Sequence, residues 1–243
     1  GLASKYSGIT GLINERSQWN VIHGITDTIV SKLSQNKPRP KYETNDAKPS
    51  VQVRCRNLND FLLGEYQRNH FDELAVKILR DSIIFGTGII KITNKNGKVA
   101  LERVKPWEVR VDEAEVYAAG QRTQMFQEMS VSRSTLKKEY PKFEREIDNA
   151  NNYSDPFYRF HKISDLVRVS EGWKLRTSKE ADDGRHIISI DNKILLDEKW
   201  NRDGFPFINL CWTDPLFGWH GNSCTEELIG VQYQINELLF KID

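Results

Sequence analysis

Residues 223–243 constrain this chain most, because they spell a single helix with an open apolar seam. Ser223 and Glu226 stand in the S-x-x-E spacing of a capping box, where each side chain satisfies a backbone N–H left without a partner at a helix start. Leu228, Val231, Ile235, Leu238 and Ile242 follow at spacings of three and four, which sets them on one side of a helix. No Gly, Asn or Pro follows to stop it. An apolar seam in water needs a partner surface, on its own chain or on a neighbouring subunit. With no initiating Met, the expectation is a fragment of a longer protein whose last helix is cut short. The expected layout is an α+β body over residues 1–222 and the start of a rod-like helix over 223–243.

Charge excludes some function classes. The 243 residues carry 35 Lys plus Arg against 34 Asp plus Glu, for a net charge of +1. No global field draws such a chain to nucleic acid or anionic lipid, so any DNA contact must come from local placement or from repetition over many subunits. No apolar run approaches the ~18 residues of a membrane span. Cys55, Cys211 and Cys224 are odd in number and lack C-x-x-C spacing, which argues against a disulfide framework and for a reduced setting.

The first third reads as helical. Leu12, Trp19, Ile22, Ile25, Ile29 and Leu33 trace one face, ended by Pro38 and Pro40. A second helix carries Val51, Cys55, Leu58 and Leu62. A third, after Asn69-His70, carries Phe71, Leu74, Ile78, Ser82 and Phe85, widened by Leu79 and Ile83. At Phe85-Gly86-Thr87-Gly88 the period changes. Ile90 and Ile92 alternate as in a strand, and Asn96-Gly97 signals a tight turn into a return strand. Further strands are predicted near residues 108–111, 123–130, 166–173, 186–190, 193–196 and 207–212. Two short helices fall over 132–140 and 141–149, and a polar connector with Asn149, Asn151 and Asn152 follows. The fold class is α+β: N-terminal helices packed on a mixed or antiparallel sheet, then a long helix.

Chemical motifs are sparse. Phe85-Gly86-Thr87-Gly88 follows a helix and precedes a strand, the reverse of a phosphate loop, and no G-x-x-x-x-G-K-[ST] occurs. Its glycines fit a helix end and a close strand crossing. Asp112, Glu113 and Glu115 form one acidic cluster, Asp182 and Asp183 another, both at predicted turns where carboxylates are ordinarily solvated. Asp112 follows a strand and is the better metal-ligand candidate, yet no second carboxylate or His pairs with it at recognisable spacing. Cys211, His220 and Cys224 could offer three zinc ligands, against the plainer reading of a strand Cys, a loop His and a first-turn Cys. Ser223 with His220 and Asp214 lacks the G-x-S-x-G elbow, and Ser223 already has a capping role. His23, His70, His161 and His186 are scattered. Trp107, Trp173, Trp200, Trp212 and Trp219 could stack on bases, but without interleaved Arg and Lys they read better as anchors in a thin core and at subunit contacts. No catalytic, cofactor or metal residue is assigned.

Five segments, in order, carry a resemblance. They are NVIHGITDTIVSKLSQNKPRPKYE (20–43), LRDSIIFGTGIIKI (79–92), VKPWEVRVDE (104–113), EGWKL leading to DGFPFINLCW (171–212), and FGWHGNSCTEELIGVQYQINELL (217–239), with Gln232 and Asn236 on the last helix. Together they resemble the portal proteins of tailed double-stranded DNA bacteriophages. The resemblance implies a ring, usually dodecameric, at one capsid vertex of the virion, assembled in the host cytoplasm. DNA is packaged and ejected through the ring, which meets the terminase, capsid and scaffold proteins and tail adaptors. It also implies that residues 1–222 are similar to the wing and that 223–243 begin a stem helix, with clip, second stem helix and crown outside this chain. On this reading the protein is a structural subunit without enzymatic activity. Two alternatives stay open: a metal-dependent nucleic-acid-processing enzyme or accessory domain centred on Asp112, and a generic α+β interaction module.

Overall fold

The computed structural model describes residues 19–45, 48–95, 97–115, 122–152, 165–215 and 218–242. Three helices open the chain: α1 (Val21–Gln35), α2 (Pro49–Arg68) and α3 (Phe71–Phe85). Asn20 caps α1, its side-chain oxygen accepting from the His23 N–H at 2.9 Å. Between α1 and α2 the two prolines hold the chain extended, and Arg39 there donates to both carboxylate oxygens of Asp72 at 2.7 and 2.8 Å. Strands β1 (Thr87–Lys95) and β2 (Lys98–Val104) form a hairpin, with Gly97 at φ +79° in its turn. After a single 3-10 turn at Pro106–Glu108 come β3 (Val109–Val111), β4 (Gln124–Ser132), and helices α4 (Arg133–Glu139) and α5 (Glu144–Asn149). Strands β5 (Leu166–Lys174), β6 (Arg185–Ile190), β7 (Lys193–Lys199) and β8 (Phe207–Cys211) lead to α6 (Cys224–Ile242). The chain is α+β, with the elements falling close to where their patterns predict them.

The strands form two sheets rather than one, and every pairing between them is antiparallel. The smaller runs β2-β1-β8, the larger β3-β4-β5-β6-β7. Strand alternation then sorts the layers. On β1, Gly88 backs onto the Ile78 carbonyl of α3. Opposite Ile90, Arg103 of β2 reaches Asp81 of α3 with two bonds of 2.5 Å. The other face of β1 carries Thr87, Ile89 and Lys91, all buried. Ile89 packs with Val104, Val109, Met125 and Trp219 into a core between the sheets. The small sheet is thus a middle layer, with α3 on one side and the large sheet on the other.

One face of the large sheet serves two neighbours. Along β5 the buried residues alternate as Val167, Val169, Glu171 and Trp173. Val167 and Val169 join Leu136 and Ile147 of α4 and α5 in a second core. Glu171 and Trp173 continue the row under the small sheet. Arg133 ties α5 down by donating to the carbonyls of Ile147, Asp148 and Ala150, which a helix C-terminus leaves unsatisfied. On the opposite, open face, Phe126 lies across Gly172, its cross-strand partner, where a Cβ would meet the ring.

Several predicted faces need correction. On α1 the buried positions are Thr26 and Val30, while Trp19 is 72% exposed and Leu33 lies outward; Leu12 lies outside the described residues. Thr26 is tolerated there because its hydroxyl donates to the Ile22 carbonyl at 2.8 Å. On α3, Phe85 is exposed and the buried set is Ile78, Asp81, Ser82 and Ile83. On β1 the deeply buried row contains Ile89 and Lys91, not Ile90 and Ile92. α2 buries none of its residues, including Val51, Cys55, Leu58 and Leu62 of its predicted stripe. It meets α3 through Tyr66 stacked on Phe71, with ring centroids 4.4 Å apart.

Candidate functional site

The start of α6 is built into the body by backbone and hydroxyl contacts. Ser223 is buried, and its hydroxyl accepts from the Glu226 N–H at 3.0 Å, the capping half of the predicted box. Thr225 donates its hydroxyl to the Ile84 carbonyl near the end of α3, at 2.7 Å. Just upstream, the Gly221 N–H donates to the Thr87 hydroxyl at 2.8 Å, and the Trp212 N–H to the Gly86 carbonyl at 2.9 Å. A helix end, a strand start and the loop before α6 therefore meet at Gly86 and Gly221. Gly86 has φ +81°, and a Cβ on it would collide with the Gly221 carbonyl.

Further along, Gln232 buckles α6 to α1. Its side-chain oxygen accepts from the Val21 and Ile22 N–H groups at 2.9 and 3.2 Å, two of the donors that a helix start leaves unsatisfied. Its amide nitrogen donates to the Trp19 carbonyl at 2.6 Å and to the Asn236 side chain at 3.0 Å. Half-buried Leu228, Ile235 and Leu239 share this inner side.

Two flanks of α6 are open, Ile229 and Tyr233 on one and Val231 and Leu238 on the other, and the side between them carries Gly230, Gln234, Glu237 and Lys241. Ile229, Val231, Leu238 and Phe240 are each more than half exposed, and Tyr233 is 77% exposed. The predicted seam thus splits: Leu228 and Ile235 turn inward, Val231 and Leu238 outward, and the side chain of Ile242 lies outside the described residues. α2 is similarly open at Val53, Phe61 and Leu63. Large apolar side chains gathered on one element in this way are less common than single exposed ones, which are ordinary.

The chemical candidates do not converge. Asp112 accepts from the Ala114 N–H at 2.9 Å, Glu115 from the Thr123 N–H and hydroxyl, and Glu113 lies against Gly218. Asp183 accepts from the Thr177 hydroxyl and N–H, which chiefly pull its pKa down to about 2, whereas Asp182 pairs with Lys199. The Ser223 hydroxyl is taken up in capping, while the His220 ring packs edge-on against Trp219 and Asp214 is exposed. Among the described residues, no group of three or more His, Cys, Asp or Glu side chains is placed to hold a metal, the Cys211, His220 and Cys224 set included. Of the tryptophans, Trp173 and Trp219 are core, Trp107 meets Phe85 edge-on, and Trp200 donates its ring N–H to the Gly204 carbonyl at 3.1 Å. His161 lies outside the described residues.

One cluster escaped the sequence. Lys91 is 4% exposed and reaches the Glu171 carboxylate and, at 3.0 Å, the Gln127 side-chain oxygen. The second oxygen of Glu171 lies 2.8 Å from His186 Nε2, and Glu198 lies 2.7 Å from His186 Nδ1. Trp173 stacks parallel to the imidazole at 5.2 Å, with the Lys91 ammonium 4.7 Å from the same indole. The signal available was period two on β5, which lines up Val167, Val169, Glu171 and Trp173, so that a carboxylate falls in a buried row and demands a cation. Searched against protein-family models and against the curated proteins, the chain finds no match in either.

Proposed function

We propose that this chain is a structural subunit of a ring assembly, similar to the wing and the first stem helix of a phage portal protein, and that it catalyses no reaction. The observation that carries the reading is α6. Its inner side is fastened by Gln232 and Thr225, and the flanks beside it leave Ile229, Val231, Tyr233 and Leu238 largely exposed. A helix so fixed in direction and apolar on both flanks suits packing between two neighbouring copies of itself. The order of the five segments that resemble portal proteins supports the same reading, and the scattered carboxylates offer no competing chemistry. In this role the ring stands at a capsid vertex of the virion, meets terminase, capsid, scaffold and tail-adaptor proteins, and passes double-stranded DNA without reading its sequence. A net charge of +1 per chain suits weak contact, because tight base readout would stall movement through a channel. Negative-stain electron microscopy of the protein as encoded in full tests this directly. Closed rings with a central channel are expected, and a monodisperse monomer at micromolar concentration would overturn the reading.

A further inference from the structure

The buried charges lie at a structural seam. On the large sheet's inner face, Glu171 and Trp173 fall between the core under α4 and α5 and the core under the small sheet. Lys91 enters from β1, in the other sheet. A His186 ring nitrogen within 2.8 Å of a carboxylate must carry a proton, and here both nitrogens face one. Glu171 is committed as an anion by Lys91 on its other oxygen, and Glu198 is half exposed. Both partners being acceptors, the geometry requires a doubly protonated ring. Two cations, Lys91 and His186, then balance two anions, Glu171 and Glu198.

We infer that the Lys91–Glu171–His186–Glu198 quartet is a pH-sensitive joint, which holds the two sheets together while His186 is an imidazolium and loosens when that ring loses a proton. Deprotonation leaves one carboxylate without its donor at a site where His186, Glu171 and Lys91 are each less than 9% exposed. The neighbours that face the quartet do not substitute for His186. Gln127 of β4 is neutral and is itself bound to Glu108 of the 3-10 turn at 3.2 Å. Lys95 at the end of β1 is occupied by Glu102. Glu139 and Tyr140 at the end of α4 lie within the field, and burial, followed by the charges of Glu139, Glu171 and Glu198, pushes the Tyr140 hydroxyl up to about 12, so it stays neutral. Trp173, Trp200 and Phe207 complete the surroundings without charge.

The directions of titration agree with this geometry. Burial alone would lower the pKa of His186, but the hydrogen bonds to Glu171 and Glu198 and their charges raise it above its ordinary 6.5. A raised histidine stabilises the fold fully below its unfolded value, and that contribution is lost as pH rises through the folded value. Burial would likewise raise Glu171, but His186 and Lys91 bring it below its ordinary 4.5, so its contribution is lost only as pH falls through that depressed value. The joint is therefore tightest between the two and opens as pH rises through the raised His186 value.

Two measurements on the whole protein test the joint. Nitrogen-detected NMR of labelled histidines from pH 5.5 to 9.5 should show both His186 nitrogens still protonated at pH 6.5. Glu198→Gln, a change at a half-exposed site, should move the His186 midpoint down. Amide exchange in β1, β5 and β6, corrected for the intrinsic effect of pH, should quicken about tenfold across that midpoint, and should be pH-independent in His186→Gln. A neutral His186 at pH 6.5, or a midpoint unmoved by Glu198→Gln, would overturn the inference, as would equal pH dependence of exchange in wild type and His186→Gln. The NMR measurement decides the matter alone if His186→Gln does not fold.

Discussion

Gly86 and Gly88 sit two residues apart and are constrained for different reasons. Gly86 closes α3 in the left-handed region, where its φ of +81° disfavours any Cβ, and a Cβ would also strike the Gly221 carbonyl. Gly88 has an ordinary φ but lies so close to α3 that a Cβ would strike the Ile78 carbonyl. Gly86→Ala and Gly88→Ala should each cost about 1–3 kcal/mol through strain, read as a lowered melting temperature. Unchanged melting in both would remove the junction from the account. The glycines were legible because a helix-to-strand change of period needs such a stop; the backbone behind Gly88 was not, since it comes from two turns back on α3. Asp81 and Arg103 make a second residue-level test. Asp81 is 2% exposed, whereas Arg103 reaches solvent. Arg103→Ala strands a buried carboxylate and should cost about 3–5 kcal/mol in chemical denaturation. Asp81→Asn leaves a cation that can turn to water, so it should cost less. The reverse order would contradict the burial argument.

At the scale of elements, α6 is where sequence and structure inform each other most. The Ser223 cap and the helix itself could be read directly, because capping and period are local properties. How the seam would divide could not, because that depends on where α1 and α3 lie. Gln232 shows the difference. In the sequence it is one polar residue on an apolar helix; in the fold it supplies the acceptor for the first turn of α1. Gln232→Ala should cost about 1 kcal/mol, with faster amide exchange concentrated at Val21 and Ile22. Gln232→Glu keeps the acceptor and gives up the bond to the Trp19 carbonyl, so exchange at Val21 and Ile22 should stay slow. Uniform quickening over the whole chain in both variants would mean that Gln232 is not a local cap. The same dependence on distant partners hid the buried row of β1. Lys91 looks like a solvent-facing position between two isoleucines, and only the β5 carboxylate across the gap explains its burial.

For the whole molecule, the number of strands was legible and their division into two sheets was not. β8 pairs with β1 from the far end of the chain, and no local pattern specifies such a closure. That pairing matters because it brings the loop before α6 back to Gly86, and so sets the direction in which the helix leaves the body. If the chain forms a ring, the two apolar flanks of α6 are contacts between copies. Analytical ultracentrifugation of the protein as encoded in full, beside its Tyr233→Glu/Leu238→Glu variant, tests it most directly. Both side chains are largely exposed, so the variant should melt within about 0.5 kcal/mol of wild type. Wild type should sediment as one large closed oligomer and the variant as a folded monomer. An unaltered oligomer in the variant, or a monomer in both, would contradict the claim.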